Sequence, residues 1–183
     1  QGIAGSYYAQ HDGEDADVAS ALEQQYWPKF AGDRLPETAT ACTLGLADRL
    51  DTLVGIFGIG QTPTGSKDPF ALRRTSLAVL RILVEKNLDL DLRGSLELAA
   101  SQYPENIIST GTSELVLEYM IERFRAWYEE ANIPAEIFNA VSARKLSRPL
   151  DIHRRVQAVH AFSLLPQAQA LAAANKRVSN ILG

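Results

Sequence analysis

Apolar residues in this chain recur at three- and four-residue steps almost from end to end, the spacing that lines one face of an α-helix. Val18, Ala19, Ala21, Leu22 and Tyr26 make the first such run, behind the acidic pair Glu14-Asp15. Acids there suit the positive end of a helix dipole. Pro28 ends the run, and PKFAGDRLP, with Gly32 and two prolines, reads as a loop. A second helix is predicted from about Thr38 to Phe57, with Leu44, Ala47, Leu50 or Asp51, and Val54 in register. Gly58, Gly60, Pro63 and Gly65 then forbid regular structure. Ser66 or Asp68 is placed to cap a third helix, with Pro69 at its first position, where a missing N–H is harmless. That helix carries Phe70, Leu72, Leu77, Leu80, Ile82 and Leu83 and ends near Asn87.

A short polar joint, Asn87 to Asp91, leads to a helix over about Leu92–Tyr103, closed by Pro104. Thr112 or Ser113 with Glu114 reads as the next helix start, with Leu115, Tyr119, Ile121, Phe124 and Tyr128 as its apolar stripe. Trp127 and Tyr128 continue that stripe, which makes them core rather than a base-stacking platform. Pro134 opens a shorter helix, IPAEIFNAVSAR. Pro149 opens another, Leu150–Leu164, with Val156, Val159 and Phe162 on one face, and a last helix runs from Pro166 to about Leu182. No alternating strand or hairpin pair is present in the pattern. The expected fold is all-α, divided near residues 88–95 into a compact helical domain (1–90) and a helical connector (91–183).

Charge changes this picture. The net charge of −4 hides an asymmetry: nine acids against three bases from Asp12 to Asp51, and seven bases against one acid from Arg144 to Arg177. The C-terminal end is therefore expected to offer a basic surface to phosphate or an acidic partner. The single cysteine, Cys42, excludes an internal disulfide framework, fits a reducing cytoplasmic compartment and falls in an apolar pattern as a buried thiol. No run approaches a membrane span and no signal-peptide layout is present.

The densest polar and glycine detail lies in LGLADRLDTLVGIFGIGQTPTGSKDPFALRR, Leu44–Arg74. Asp48 and Asp51, three residues apart, share one helix face, and two such charges are costly without a positive group between them. Arg73 or Arg74 is the expected counter-charge, since Arg49 points elsewhere on the helix. The favoured role for the two aspartates is to fasten the glycine loop by accepting its backbone N–H groups, rather than catalysis. GIGQTPTGSKDP is no Walker loop: Gly65-Ser66-Lys67 has the wrong order and follows a helix, not a strand. Thr64, Ser66, Lys67 and the N–H groups at the next helix start remain candidates for holding an RNA phosphate, extended by Arg73 and Arg74. Arg144, Lys145 and Arg148, then Arg154 and Arg155, form the densest basic run, and Lys176 and Arg177 serve the same end on the last helix. No catalytic residue is assigned.

The block ADRLDTLVGIFGIGQTPTGSKDPFALRR resembles the signature of the beta subunit of bacterial heterotetrameric glycyl-tRNA synthetase. YYAQHDGEDADVASALEQQYWPKFAGDRLP, RFRAWYEE and AAANKRVSNIL are similar to the same subunit, in the same order. The family subunit is several times longer, and a start at Gln1 suggests an internal piece. The resemblance implies an HD-domain-like helical bundle followed by a helical linker. It further implies a two-alpha, two-beta ligase that joins glycine to its tRNA with ATP and Mg²⁺. On the same resemblance the aminoacylation site is expected in the alpha subunit, with tRNA contact and architecture supplied by the beta subunit. Two other classes stay open. One is an HD-type metal-dependent phosphohydrolase, for which His11 and Asp12 with a later aspartate are weak candidate ligands, the upstream histidine being absent. The other is a purely structural helical spacer.

Overall fold

The computed structural model describes residues 1–104 and 106–182, apart from the side chains of residues 169, 172, 173, 176, 179, 181 and 182. Its elements are α1 (Gly2–His11), α2 (Ala16–Gln24), α3 (Ala39–Gly58), α4 (Leu72–Glu85), α5 (Leu92–Ser101), α6 (Thr112–Glu130), α7 (Ala135–Ser142), α8 (Pro149–Ser163) and α9 (Pro166–Leu182). Among the described residues there is no strand, only an isolated bridge between Thr64 and Lys67. The expected all-α fold is what forms. No helix among the described residues is long and apolar enough to cross a membrane.

Local chemistry sets most of the helix starts. Asp15, Thr38 and Asp91 each accept a backbone N–H of the following first turn, capping α2, α3 and α5. Pro149 stands in the first turn of α8, where it has no hydrogen bond to lose. The third predicted helix begins later than its proline suggests. Ala71 takes a left-handed conformation (φ 54°), so Pro69 and Phe70 form a turn and α4 starts at Leu72. Helix α1 is a further difference. GIAGSYYAQH has two glycines and almost no one-sided apolar face, so periodicity does not reveal it; its partner is α2.

The core runs through α3, α4, α5, α6, α7 and α8 without interruption, from Cys42 to Val156. Leu53 and Val54 of α3, Leu72, Val79, Leu80, Ile82 and Leu83 of α4, and Met120 and Phe124 of α6 are fully buried. Each such side chain contributes roughly 1.5–3 kcal/mol relative to exposure. At one end Phe124, Tyr128 and Phe138 pack ring on ring, and Tyr128 hydrogen-bonds through its hydroxyl to His153 Nδ1 at 2.9 Å. The stripe expected for α6 is shifted. Leu115 is 56% exposed, and Val116, Leu117 and Met120 take the inward positions, because α6 is enclosed by α3, α4 and α5 on that side. On α8, Val156 is buried but Val159 and Phe162 are exposed, since the helix leaves the core beyond Val156.

The polar joint before α5 is bolted to the segment before α8. Leu92 N–H donates to Ser147 O (2.9 Å), Ser147 Oγ donates to Asp91 Oδ1 (2.6 Å), and Arg148 pairs with Asp89 (3.1 Å).

One buried cation fixes how α2 meets α3. Arg49, 8% exposed, donates from Nη1 to Gln25 O (2.6 Å) and Gly45 O (2.8 Å), and from Nη2 to Trp27 O (2.9 Å). Gly45 makes room for it: a Cβ there would stand 3.0 Å from Nη1. Burial pushes the guanidinium below its ordinary pKa and the neighbouring Asp48 pulls it back, but an arginine so placed stays charged. Arg34 lies over the outer face of Trp27, 3.5 Å from the ring centre.

Replacing Arg49 by Met should leave the Gln25 and Trp27 carbonyls, which follow α2 outside any helix, short of a donor and cost about 3 kcal/mol, read as a lower urea midpoint with unchanged slope. Gly55 tests helix packing. A Cβ there would lie 2.5 Å from the Tyr103 hydroxyl. Gly55→Ala should therefore destabilise by about 1–3 kcal/mol, and most of that loss should vanish in a Tyr103→Phe background.

Candidate nucleic-acid interface

The glycine loop leaving α3 is held from both of its ends. Thr64 and Lys67 exchange backbone hydrogen bonds (3.1 and 2.8 Å) around Gly65, whose φ of 49° favours a residue without a Cβ. Asp68 then accepts from the backbone N–H of Leu72 (2.8 Å) and of Arg73 (3.0 Å), and Arg73 donates from Nη2 to Gly65 O. Lys67 and Ser66 stand exposed at the turn. Two of the first-turn amides of α4, those of Leu72 and Arg73, are therefore already taken by Asp68, contrary to the expectation that they stay free for a phosphate. Anion contact in this region falls to side chains.

Asp48 and Asp51 do not do the work expected of them. Both are exposed on α3, and among the described residues neither carboxylate forms an ion pair or a hydrogen bond with the loop. Arg73 is turned to Gly65, and among the described residues neither it nor Arg74 forms an ion pair with them. Asp51 instead touches Tyr103, whose hydroxyl donates to its main-chain carbonyl (3.2 Å). Burial and this neighbouring aspartate together hold the Tyr103 hydroxyl above its ordinary pKa.

The two arginines of the signature block meet two others that the sequence did not mark. Arg73, Arg74 and Arg81 of α4 and Arg123 of α6 border a groove of about 570 Å³. Leu77, Ala78, Ala126 and Trp127 line it as well, and the Phe30–Gly32 loop flanks it. Both helices present bases first and acids later: Arg73, Arg74, Arg81 and then Glu85 on α4, Arg123 and then Glu130 on α6. Arg81 pairs with Glu85 (2.7 Å) and donates to Asp33 O (3.0 Å). Its Nη1, and Nε of Arg123, are buried without an acceptor among the described residues. The Tyr119 hydroxyl is in the same state, with the Arg123 guanidinium 5.5 Å over its ring. Burial is the main cause of the raised pKa of Tyr119; Arg73, Arg123 and Asp68 lie close enough to act on it too. Nothing in the local sequence sets Arg81 and Arg123 apart; the packing of α4 against α6 reveals them.

The C-terminal basic residues do not gather into one patch with these. Arg148 is paired with Asp89, Arg155 with Asp151 (3.0 Å), and Arg154 donates to Asn87 (2.8 Å). Arg144 and Lys145 are exposed after α7, Lys145 in a left-handed conformation beside a shallow cleft that also carries Glu114, Glu118 and Glu122. Arg177 is exposed on α9, and the Lys176 side chain lies outside the described residues. His11 ends α1 and Asp12 follows it, both exposed. No group of three His, Cys, Asp or Glu side chains among the described residues is arranged to hold a metal ion. Cys42 is buried, with its thiol against Pro36 O (3.6 Å), and burial raises its pKa, which suits a structural thiol.

Asp68→Ala should cost about 1–2 kcal/mol in chemical denaturation by releasing two first-turn amides of α4. Amide exchange at Leu72 and Arg73 should quicken ahead of the rest of the helix.

Comparison with known proteins bears on this geometry. The family model described as glycyl-tRNA synthetase beta subunit matches residues 1–143. The glycine–tRNA ligase beta subunit of Chromohalobacter salexigens is 59% identical over 182 residues, which is all of this chain and 26% of that protein. Those of Marinobacter nauticus and Pseudomonas aeruginosa are each 57% identical over the same length. The chain thus spans about a quarter of the length of the curated relatives it matches. The glycine loop, its Asp68 cap and the helix that carries Arg73 and Arg74 all fall inside the matched region, and the chain belongs to the glycyl-tRNA synthetase beta-subunit family.

Proposed function

We propose that this chain serves a glycine–tRNA ligase as an RNA-contacting and assembly module, without chemistry of its own. In that reading glycine is joined to its tRNA with ATP and Mg²⁺ at a site in the alpha subunit, in a two-alpha, two-beta assembly in the cytoplasm. Residues up to about 90, joined by Arg123 of α6, carry the main RNA contact, and the rest of the chain from 91 onward connects to the remaining domains of the beta subunit. The partners are glycine tRNA, the alpha subunit and those domains; no cofactor is assigned to this chain.

One observation carries the reading: four arginines converge on the groove that adjoins the glycine loop, and among the described residues only Arg81 of the four is paired with a carboxylate. Guanidinium groups match phosphate oxygens in geometry and charge, and such contacts give affinity without reading bases. Lys67, exposed at the turn, extends the same surface. Arg144, Lys145, Lys176 and Arg177 make a second, looser set; Arg148, already paired with Asp89, is the weakest of the proposed contacts. Asp48, Asp51, Gly65, Ser66 and Asp68 are assigned no contact with RNA.

Binding of the chain to glycine tRNA across a salt series tests this. Arg74→Glu, at an exposed position with no structural hydrogen bond among the described residues, should weaken binding about tenfold at low salt. It should also flatten the salt dependence by about one unit of slope. Lys67→Glu should act in the same direction. Binding that ignores both changes would move the interface to the Arg144–Arg177 region, and no binding at low salt would leave the structural-spacer reading.

A further inference from the structure

We infer that the groove between α4 and α6 takes a single unpaired nucleotide of RNA. Its phosphate lies at the arginine end and its base on the apolar floor beside Phe30. This rests on the RNA-contacting role proposed above and names the form of RNA that the site accepts.

Three features of the groove point to this occupant. The first is the distribution of charge. Arg73, Arg74 and Arg123 crowd the end next to the glycine loop, and Glu85 and Glu130 close the other. A strand laid along the whole groove would bring phosphates against those two acids. One nucleotide entering at the basic end keeps its phosphate away from them. The second is the set of donors along it: among the described residues the Arg74 and Arg123 guanidinium groups have no carboxylate partner, and the Arg73 guanidinium is bonded only to Gly65 O. A nucleotide carries acceptor oxygens on its phosphate and ribose, and acceptor atoms on its base edges.

The third feature is the apolar surface. Phe30 is 61% exposed on the flanking loop, and Leu77, Ala78, Ala126 and the edge of Trp127 form the floor. An exposed phenylalanine above a small-residue floor is a slot for a flat ring, and bases stack on aromatic side chains and on guanidinium planes with little regard to sequence. A cavity of about 570 Å³ is within the usual range for small-molecule and nucleotide sites. A base paired inside an A-form duplex cannot reach such a slot, because its faces are covered by its neighbours. The site therefore discriminates single-stranded from double-stranded RNA by shape.

The test compares the chain's affinity for a labelled single-stranded RNA of about ten nucleotides with its affinity for the blunt duplex of the same sequence. Phe30→Ala and Arg74→Glu are measured beside the parent; Phe30 is exposed, so its loss removes a stacking face without opening the core. The single strand should bind more tightly than the duplex. Phe30→Ala should cost the single strand about tenfold and the duplex less than about twofold, whereas Arg74→Glu should weaken both. Equal affinity for the two RNAs, or indifference of the single strand to Phe30→Ala while Arg74→Glu still acts, would overturn the nucleotide slot and leave the phosphate-contacting surface standing. Failure of both RNAs to bind would remove both readings. A glutamate-rich peptide that binds in an Arg74-dependent way when RNA does not would also overturn the slot and assign the groove to a protein partner.

Discussion

A buried guanidinium without a carboxylate partner sets the geometry on which the rest of this structure depends. Arg49 sits inside the packed region of α3 and spends its donors on three backbone carbonyls, two of them from the chain that leaves α2. Carbonyls of a non-regular segment have no ladder to satisfy them, and a buried one left bare is expensive. Arg49 supplies those bonds and so converts a loop into a fixed wall. Trp27 is held by it from within and covered by Arg34 from outside. The loop carrying Phe30 follows directly, which places one flank of the arginine groove at a set distance from α4.

The glycines of the signature block divide into two kinds of work. Gly55 and Gly58 lie within α3, where conformational freedom is a cost, yet a Cβ at either would collide with Tyr103 or Ile108. They let the segment after α5 lie against α3. Gly60 and Gly65 have positive φ and open space around them, so they serve the path of the loop itself. The loop is then locked by charge-assisted contacts at its far end, where Asp68 closes the start of α4 and Arg73 reaches back to Gly65. Asp68 stabilises the helix and at the same time removes two of its first-turn amides from competition for anions. That leaves the neighbouring guanidinium groups as the means of attracting phosphate.

Elsewhere the charged residues mostly answer one another. Arg93 pairs with Glu114, Arg125 with Glu122, Arg148 with Asp89 and Arg155 with Asp151. Pairs this exposed contribute little to stability and are screened by salt. Within the basic C-terminal run they engage Arg148 and Arg155, while Arg154 meets the neutral Asn87 and Arg144, Lys145 and Arg177 stay exposed. The groove between α4 and α6 keeps a surplus because its arginines outnumber its acids at one end. Surface charge at the level of sequence and available charge in the fold are therefore different quantities.

The type and approximate limits of α2 through α9 were legible because apolar spacing and cap residues act locally. Thr38, Asp91 and Pro149 mark their helices without help from distant parts. Burial of Cys42 and Tyr128 followed from the same periodicity, whereas the family was legible through resemblance to the contiguous signature block. The helix α1 escaped because a weakly amphipathic segment is stabilised by its neighbour rather than by its own pattern. The roles of Asp48 and Asp51 were misjudged for a related reason: spacing puts two carboxylates on one face but does not say what that face meets. The roles of Arg49, Arg81 and Arg123 were likewise invisible, because they depend on which carbonyls, acids and rings lie opposite. The sequence by itself determined the helices, the loop and the kinship, all set by short-range steric and hydrogen-bonding rules. Only the tertiary structure decided which charges cancel and which converge, because that depends on the packing of α3, α4 and α6, residues far apart in the chain.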